Sequence, residues 1–190
     1  LIVYAGGRNN HIDRQLNRLL RQALDRLVPS AEMADVVLAL KPMHASCARE
    51  WSFQNDLEQA IELVASYDSP FLKLAYDNYQ FPYVHRQPAL LAQLIPQLEI
   101  VQLADAQKPP SIDQLRCPLG TGKLEVQATI EALIDGGYKG VFDVELMGDE
   151  IESHDYEPLV REMGQFLLGC VVDRPARSKS SSPLPVHRHG

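Results

Sequence analysis

Five polar side chains stand out because each ends, follows or interrupts a short apolar run. They are Lys41 after Val36–Leu40, Asp77 after Phe71–Tyr76, Gln102 within Ile100–Leu103, and Asp143 and Glu145 within Val141–Leu146. His44 lies three residues beyond Lys41, Gln80 three beyond Asp77, and Asp105 three beyond Gln102. Carboxylates and amides in such positions can hold a hard cation, and a carboxylate can move a proton beside a carbonyl. Each residue alone is also explained as a helix N-cap or a loop hydrogen bond, and Asp105 and Asp143 fit that simpler role. Lys41, Asp77 and Glu145 fit it less well, because a strand facing a crowded interior must desolvate them unless they are paired or bind something.

The elements that position these residues alternate regularly. Ile2–Tyr4 is a short strand-like run followed by Gly6-Gly7, and Ile12, Leu16, Leu19, Leu20, Ala23, Leu24 and Leu27 then recur at helical spacing until Pro29, which should interrupt or end the helix. Val36–Leu40 is the second strand, and a helix through Leu57, Ala60, Ile61 and Val64 follows it, capped by Asn55 or Asp56. Phe71–Tyr76 precedes a helix through Leu90, Leu91, Leu94 and Ile95. Ile100–Leu103 precedes a polar loop and a helix through Ile130, Leu133 and Ile134 that stops at Gly136-Gly137. Val141–Leu146 is the fifth strand, and Tyr156–Leu168 the closing helix. Unbroken apolar strands, each followed by a helix, predict an α/β fold with a parallel sheet covered by helices. Either an open doubly wound sheet or part of a (β/α)8 barrel satisfies this pattern. No Gly-x-Gly-x-x-Gly follows any strand, so the dinucleotide fingerprint of the open class is missing. In a barrel, the C-terminal strand ends share one face, where all of these polar residues would converge.

Composition narrows the function classes. The 190 residues are 45% hydrophobic and 23% charged, as in one globular domain. No apolar run approaches the length of a membrane span, and residue 1 opens a strand-like run instead of a basic leader, so the expectation is a cytoplasmic protein without a membrane partner. The net charge of −7 is uneven: Asp173–Gly190 carries four basic residues and one acid, which leaves −10 on residues 1–172. Such a body repels phosphate backbones, and a nucleic-acid role is not expected. The Ser, Pro and Arg-rich stretch 173–190 reads as a disordered tail, with His187 and His189 near its end.

Other chemistry is less well supported. Cys47, Cys117 and Cys170 show no Cys-x-x-Cys spacing and read as reduced thiols. Neither Cys47 near His44 nor Cys117 near Arg116 has a base held by a third group. Gly120-Thr121-Gly122-Lys123 resembles a phosphate loop superficially, but Cys117 stands where the first glycine should and Leu124 where Ser or Thr should. Trp51, Phe53, Tyr79, Phe81 and Tyr83 could wall a sugar pocket or simply pack over a barrel mouth.

The segments Leu38–His44, Tyr76–Gln80, Val101–Asp105, Arg116–Gly122 and Gly137–Glu145, in this order and spacing, resemble the xylose isomerase-like TIM barrel superfamily. It includes sugar and sugar phosphate isomerases and epimerases, inosose dehydratases and apurinic endonucleases. The resemblance implies a divalent metal, Mn or Mg, held by Glu, Asp, His and Glu on four successive strands. The two glutamates exchange a proton beside a carbonyl that the cation polarises. It also implies a sugar or polyol partner, and a homo-oligomer as a family-level expectation. Carried onto this chain, the four metal positions read Lys41, Asp77, Gln102 and Glu145, with Glu145 and Lys41 in the catalytic pair and Asp77, Gln102 and Glu145 left as metal ligands. His44, Gln80 and Arg116 fall where the substrate is touched.

Two substitutions alter that chemistry. Gln102, in place of histidine, still offers a carbonyl oxygen. Lys41 puts a cation where an anionic ligand belongs, and at 4 Å and an effective dielectric of 20 it repels a neighbouring ion by about 4 kcal/mol per unit charge. Three readings follow. In the first, a sugar or cyclitol isomerase, epimerase or dehydratase retains Glu145 as base with weakened metal binding. In the second, the Lys41 ammonium replaces the metal between Asp77 and Glu145 in a polyol-binding, non-catalytic barrel. In the third, Lys41 acts chemically, as a Schiff-base amine or electrophile; a degenerate remnant is the fourth outcome. A full barrel takes about 250 residues. Matched to the family, residues 1–172 supply the last five of eight β/α units, and the sheet edges at Leu1 and Val141 should be unpaired.

Overall fold

The computed structural model describes residues 1–172; the tail expected at 173–190 lies outside the described residues. Five parallel strands form one sheet: β1 (Ile2–Val3), β2 (Leu38–Leu40), β3 (Leu72–Asp77), β4 (Leu98–Leu103) and β5 (Val141–Val144). Their order in the sheet is their order in the chain. This is the five-unit α/β arrangement expected from the alternating apolar runs. The inner strands are sealed on both faces, which is why they read as unbroken apolar runs: Leu72, Leu74, Ala75, Val101 and Leu103 are all fully buried.

Among the described residues six α-helices accompany the sheet: α1 (Asp13–Met33), α2 (Leu57–Ala65), α3 (Pro88–Leu94), α4 (Val126–Asp135), a single turn α5 (Asp149–Glu152) and α6 (Tyr156–Val172). Asp56 is the cap of α2, accepting a hydrogen bond from the Gln59 amide at 3.1 Å. Two boundaries differ from the sequence expectation. Pro29 does not end α1, which continues to Met33. Proline removes one backbone donor, but Val28 and Ala31 on either side of it are buried in the core, and their packing holds the last turn in register. Helix α6 runs four residues beyond Leu168 because Cys170 is buried against the same core.

Among the described residues the two outer strands are each paired on one side only. Beside β1 an apolar cleft of about 310 Å³ is lined by Val3, Leu16, Leu20, Leu24 and Leu40. Beside β5 a larger one, about 660 Å³, is lined by Leu146, Ile151, Leu159, Met163 and Leu167. Cys47, Cys117 and Cys170 are all buried and not joined in disulfides, in keeping with the reduced thiols expected from their spacing. Among the described residues no helix is long and apolar enough to cross a membrane.

Candidate functional site

Register places the polar residues together. Asp77 on β3 is paired with Gln102 on β4, and Gln102 with Asp143 on β5, so the three side chains project from one face of the sheet. Glu145, two residues past Asp143, continues that face, and its amide extends the ladder by donating to the Leu103 carbonyl at 3.0 Å. Lys41 follows β2, with its amide donating to the Val3 carbonyl at 2.9 Å. Arg116 is returned to the sheet by a bridge between Asp105 and Cys117.

Four of these side chains form a closed charge quartet. The Lys41 Nζ donates to Asp77 Oδ2 at 2.9 Å and to Glu145 Oε2 at 2.7 Å. Arg116 spans the same two carboxylates: Nη2 lies 2.8 Å from Asp77 Oδ2 and Nη1 3.0 Å from Glu145 Oε2. Asp77 Oδ1 accepts from Arg116 Nη1 and from the Tyr79 amide. The Lys41, Asp77 and Arg116 side chains are at most 1% exposed, whereas Glu145 is 22% exposed. Glu145 is thus the member of the quartet that a solute can reach.

Electrostatics inside the quartet are decided by the competition between burial and pairing. Burial acts most strongly on Lys41 and pulls its pKa down, but Asp77 and Glu145 together outweigh it and leave the ammonium above the ordinary lysine value. Asp77 is the mirror case: burial pushes its pKa up, and Arg116 and Lys41 reverse that, holding the carboxyl below its ordinary range. Arg116, also opposed by burial, ends raised through Asp77 and Glu145. Lys41, Asp77 and Arg116 therefore have reason to stay ionised, which disfavours a neutral, nucleophilic Lys41 amine.

A ring of amides supports the quartet from behind. Gln80 accepts from the His44 amide at 2.9 Å and donates to Gln114 Oε1 at 2.5 Å. Gln114 Oε1 also accepts from Arg116 Nη2, and its Nε2 donates to the Ser111 carbonyl and to Cys47 Sγ. The His44 ring is turned toward its own loop, where Nδ1 accepts from the Ser46 amide. Tyr79 lies beneath the Arg116 guanidinium, 4.6 Å from ring centroid to cation. Gln114 was not singled out from sequence, and a glutamine in a polar loop carries no signal that would have marked it. Tyr4, at the end of β1 and 5.9 Å from the Lys41 Nζ, was also missed, although its place at a C-terminal strand end was a usable signal.

Asp105 takes the simpler role. Its carboxylate accepts from the amides of Gly120, Gly122, Leu124 and Ala106 at 2.8 to 3.1 Å. A Cβ on Gly122 would lie 2.2 Å from Asp105 Oδ1, so the loop closes around the carboxylate only with glycine there. The amides of the Gly-x-Gly turn are thereby occupied from inside the protein. Asp143 accepts from Gln102 Nε2 at 3.2 Å.

The donor set does not fit a divalent metal. Asp77 and Glu145 bring two negative charges, which Lys41 and Arg116 already balance. Gln102 Oε1 is a buried acceptor without a hydrogen-bond partner, but one neutral oxygen cannot offset two further positive charges. Among the described residues, no group of three or more His, Cys, Asp or Glu side chains could hold a metal ion.

Comparison with known folds agrees with this architecture. The chain resembles a protein from Sinorhizobium meliloti 1021 at 20% identity with a TM-score of 0.75, covering 90% of this chain and 64% of that one. It resembles the IolI protein, solved with a bound zinc atom, at 20% identity and TM-score 0.70, covering 92% and 63%. An L-ribulose 3-epimerase is similar at 18% identity and TM-score 0.67, covering 87% and 57%. The chain thus spans less than two thirds of the length of these structures. A search of curated protein sequences gives no match. The family model described as xylose isomerase-like TIM barrel matches residues 1–168, and with five parallel β/α units carrying their polar residues at the C-terminal strand ends, the chain belongs to that family.

Proposed function

We propose that this chain binds a sugar or cyclitol at the C-terminal ends of β2 to β5, with the Lys41 ammonium in the place that a divalent cation takes in metal-assisted isomerases and epimerases. The observation that carries this reading is the position of Lys41 Nζ, 2.9 Å from one carboxylate and 2.7 Å from the other. An ammonium there supplies one fixed positive charge and three donors, enough to orient carboxylates and hydroxyls. It has no vacant coordination position with which to polarise a carbonyl. The family membership and the epimerase-like fold support a polyol as the ligand class.

A second reading is favoured by the partial exposure of Glu145. Its carboxylate could take a proton from the carbon beside a carbonyl, while the Lys41 and Arg116 cations stabilise the negative charge that develops on oxygen. Binding and turnover separate the two. Calorimetric titration with free ketoses and inositols in EDTA should show binding without metal. Incubation with the same compounds in D₂O, followed by proton NMR, should show no exchange of the hydrogen beside the carbonyl. Exchange without metal that is lost in Glu145→Ala would establish the second reading. Exchange that needs Mn or Mg would overturn both.

A further inference from the structure

One aromatic ring, Tyr4, stands beside the quartet without belonging to it, and a second, Trp51, stands against Tyr4. Tyr4 is 43% exposed and Trp51 is 40% exposed. Their ring centroids are 6.3 Å apart, with planes inclined at 63°. Both are held by interlocked loops: the Phe53 amide donates to the Gly6 carbonyl at 2.8 Å, the Arg8 amide to the Ala48 carbonyl at 2.8 Å, and Gly6 forms a bridge with Ser52. Gly7 is pressed so closely on this contact that a Cβ there would lie 2.3 Å from the Arg49 carbonyl oxygen. The backbone that carries the rings is thus fixed, while both side chains stay partly exposed. Other loop aromatics are committed elsewhere: Phe53 and Tyr79 are buried, and Tyr83 lies against Arg86, with 4.6 Å between ring centroid and guanidinium.

Charge restricts what such a platform can receive. Lys41 and Arg116 are each paired with both carboxylates of the quartet. The amides of Gly120 and Gly122, which could have cradled a phosphate, are bonded to Asp105. Both positive charges of the quartet are therefore balanced by carboxylates, and the glycine-turn amides are taken, so neither offers an uncompensated positive charge to a phosphate ester.

We infer that Tyr4 and Trp51 form a stacking platform for the less polar face of an uncharged sugar or cyclitol, whose hydroxyls then reach Glu145. This rests on the polyol-binding reading above and extends it to the residues and ligand charge. The C–H groups on one face of a sugar ring carry partial positive charge and are attracted to the negative face of an aromatic ring. Lys41 Nζ lies 5.9 Å from the Tyr4 ring and 2.7 Å from Glu145 Oε2, so ring and carboxylate flank the same ammonium.

Trp51 is the single tryptophan of the chain, so its fluorescence reports directly on the platform. The test is a titration of the chain, in EDTA, with free ketohexoses, inositols and the 6-phosphates of the same ketohexoses, followed by tryptophan emission and by calorimetry. A saturable emission change is expected with at least one neutral compound. Tyr4→Ala, read by emission, and Trp51→Ala, read by calorimetry, should each weaken binding about tenfold, while Tyr4→Phe retains it. Wild-type affinity in both alanine variants, together with loss of binding in Glu145→Gln, would overturn the platform and leave the polyol-binding reading standing. A phosphate ester that binds about tenfold more tightly than its parent sugar would overturn the uncharged ligand. No binding of any neutral compound by the unsubstituted chain would overturn both readings together.

Discussion

Asp77 and Asp105 are both sealed from solvent, yet their surroundings are built on opposite principles. Asp105 is held by four backbone amides, all within 19 residues of it in the chain. Asp77 is held mainly by two side-chain cations that arrive from β2 and from the loop after β4, 36 and 39 residues away. Backbone donors are fixed once the loop has folded, so the Asp105 arrangement is a piece of framework. Side-chain cations bring whole charges and can change partners, so the Asp77 arrangement is the one that can answer to a ligand or to pH. The difference separates scaffold from site even though both residues stand at strand ends with identical chemistry.

The largest effect should come from removing the centre of the quartet. Asp77→Ala leaves two buried cations sharing one carboxylate, and a loss of about 3 to 5 kcal/mol is expected by urea denaturation. A loss below 1 kcal/mol would mean that Lys41 and Arg116 find other partners. Next, Lys41→Glu replaces the internal cation by a carboxylate and should create a metal site with Asp77, Glu145 and the free Gln102 oxygen. Mn²⁺ at a hundred times its dissociation constant would then stabilise the variant by about 2.7 kcal/mol and leave the parent chain unchanged. If calorimetry detects no Mn²⁺ binding to the variant, Lys41 is not the only obstacle. Asp105→Asn should cost about 2 kcal/mol, because the amide nitrogen cannot accept and two of the four backbone amides lose their acceptor. Polyol binding should survive that change, since the scaffold and not the site is altered.

The smallest effect is the dependence of stability on pH, to which Asp77 and Lys41 contribute with opposite sign. The folded-state pKa of Asp77 is lowered, so its contribution is present above the ordinary carboxylate value of 3.8 and is lost as pH falls through the lower folded value. Lys41 has the opposite sign. Its folded pKa is raised, so its contribution is complete below 10.5 and is lost as pH rises through the higher folded value. Urea midpoints should therefore fall at both extremes, and Lys41→Met should flatten the alkaline limb and make the acid limb shallower. An unchanged alkaline limb in that variant would show that the Lys41 charge does not couple to folding.

The strand and helix order was legible because apolar runs and helical spacing encode it directly, and the site face was legible because parallel strands bring Lys41, Asp77, Gln102 and Glu145 to one end. The pairing of Lys41 with Asp77 and Glu145 was one of the readings the resemblance offered, but the partners of Arg116 were not. Arg116 was placed near substrate by resemblance, while the structure gives its guanidinium to Asp77 and Glu145. Such pairings depend on how a loop folds back, which no local pattern carries. Pro29 misled for a related reason: its local penalty is set against the burial of Val28 and Ala31, a tertiary quantity. Tyr4 ends an apolar run as an uncharged ring, so the signal of its residue type is that of a strand residue and not of a site residue.

The strictly sequential strand order also bears on how the chain acquires its structure. Each strand pairs with its immediate predecessor, so the sheet can assemble unit by unit from contacts of short sequence separation, in the manner of a repeat array. The quartet is different: the Lys41–Glu145 pair joins residues 104 apart and ties β2 to β5. Assembly of the array has to precede that closure. The quartet is therefore a late-forming clasp, and its strength should be felt in the rate of unfolding more than in the rate of folding.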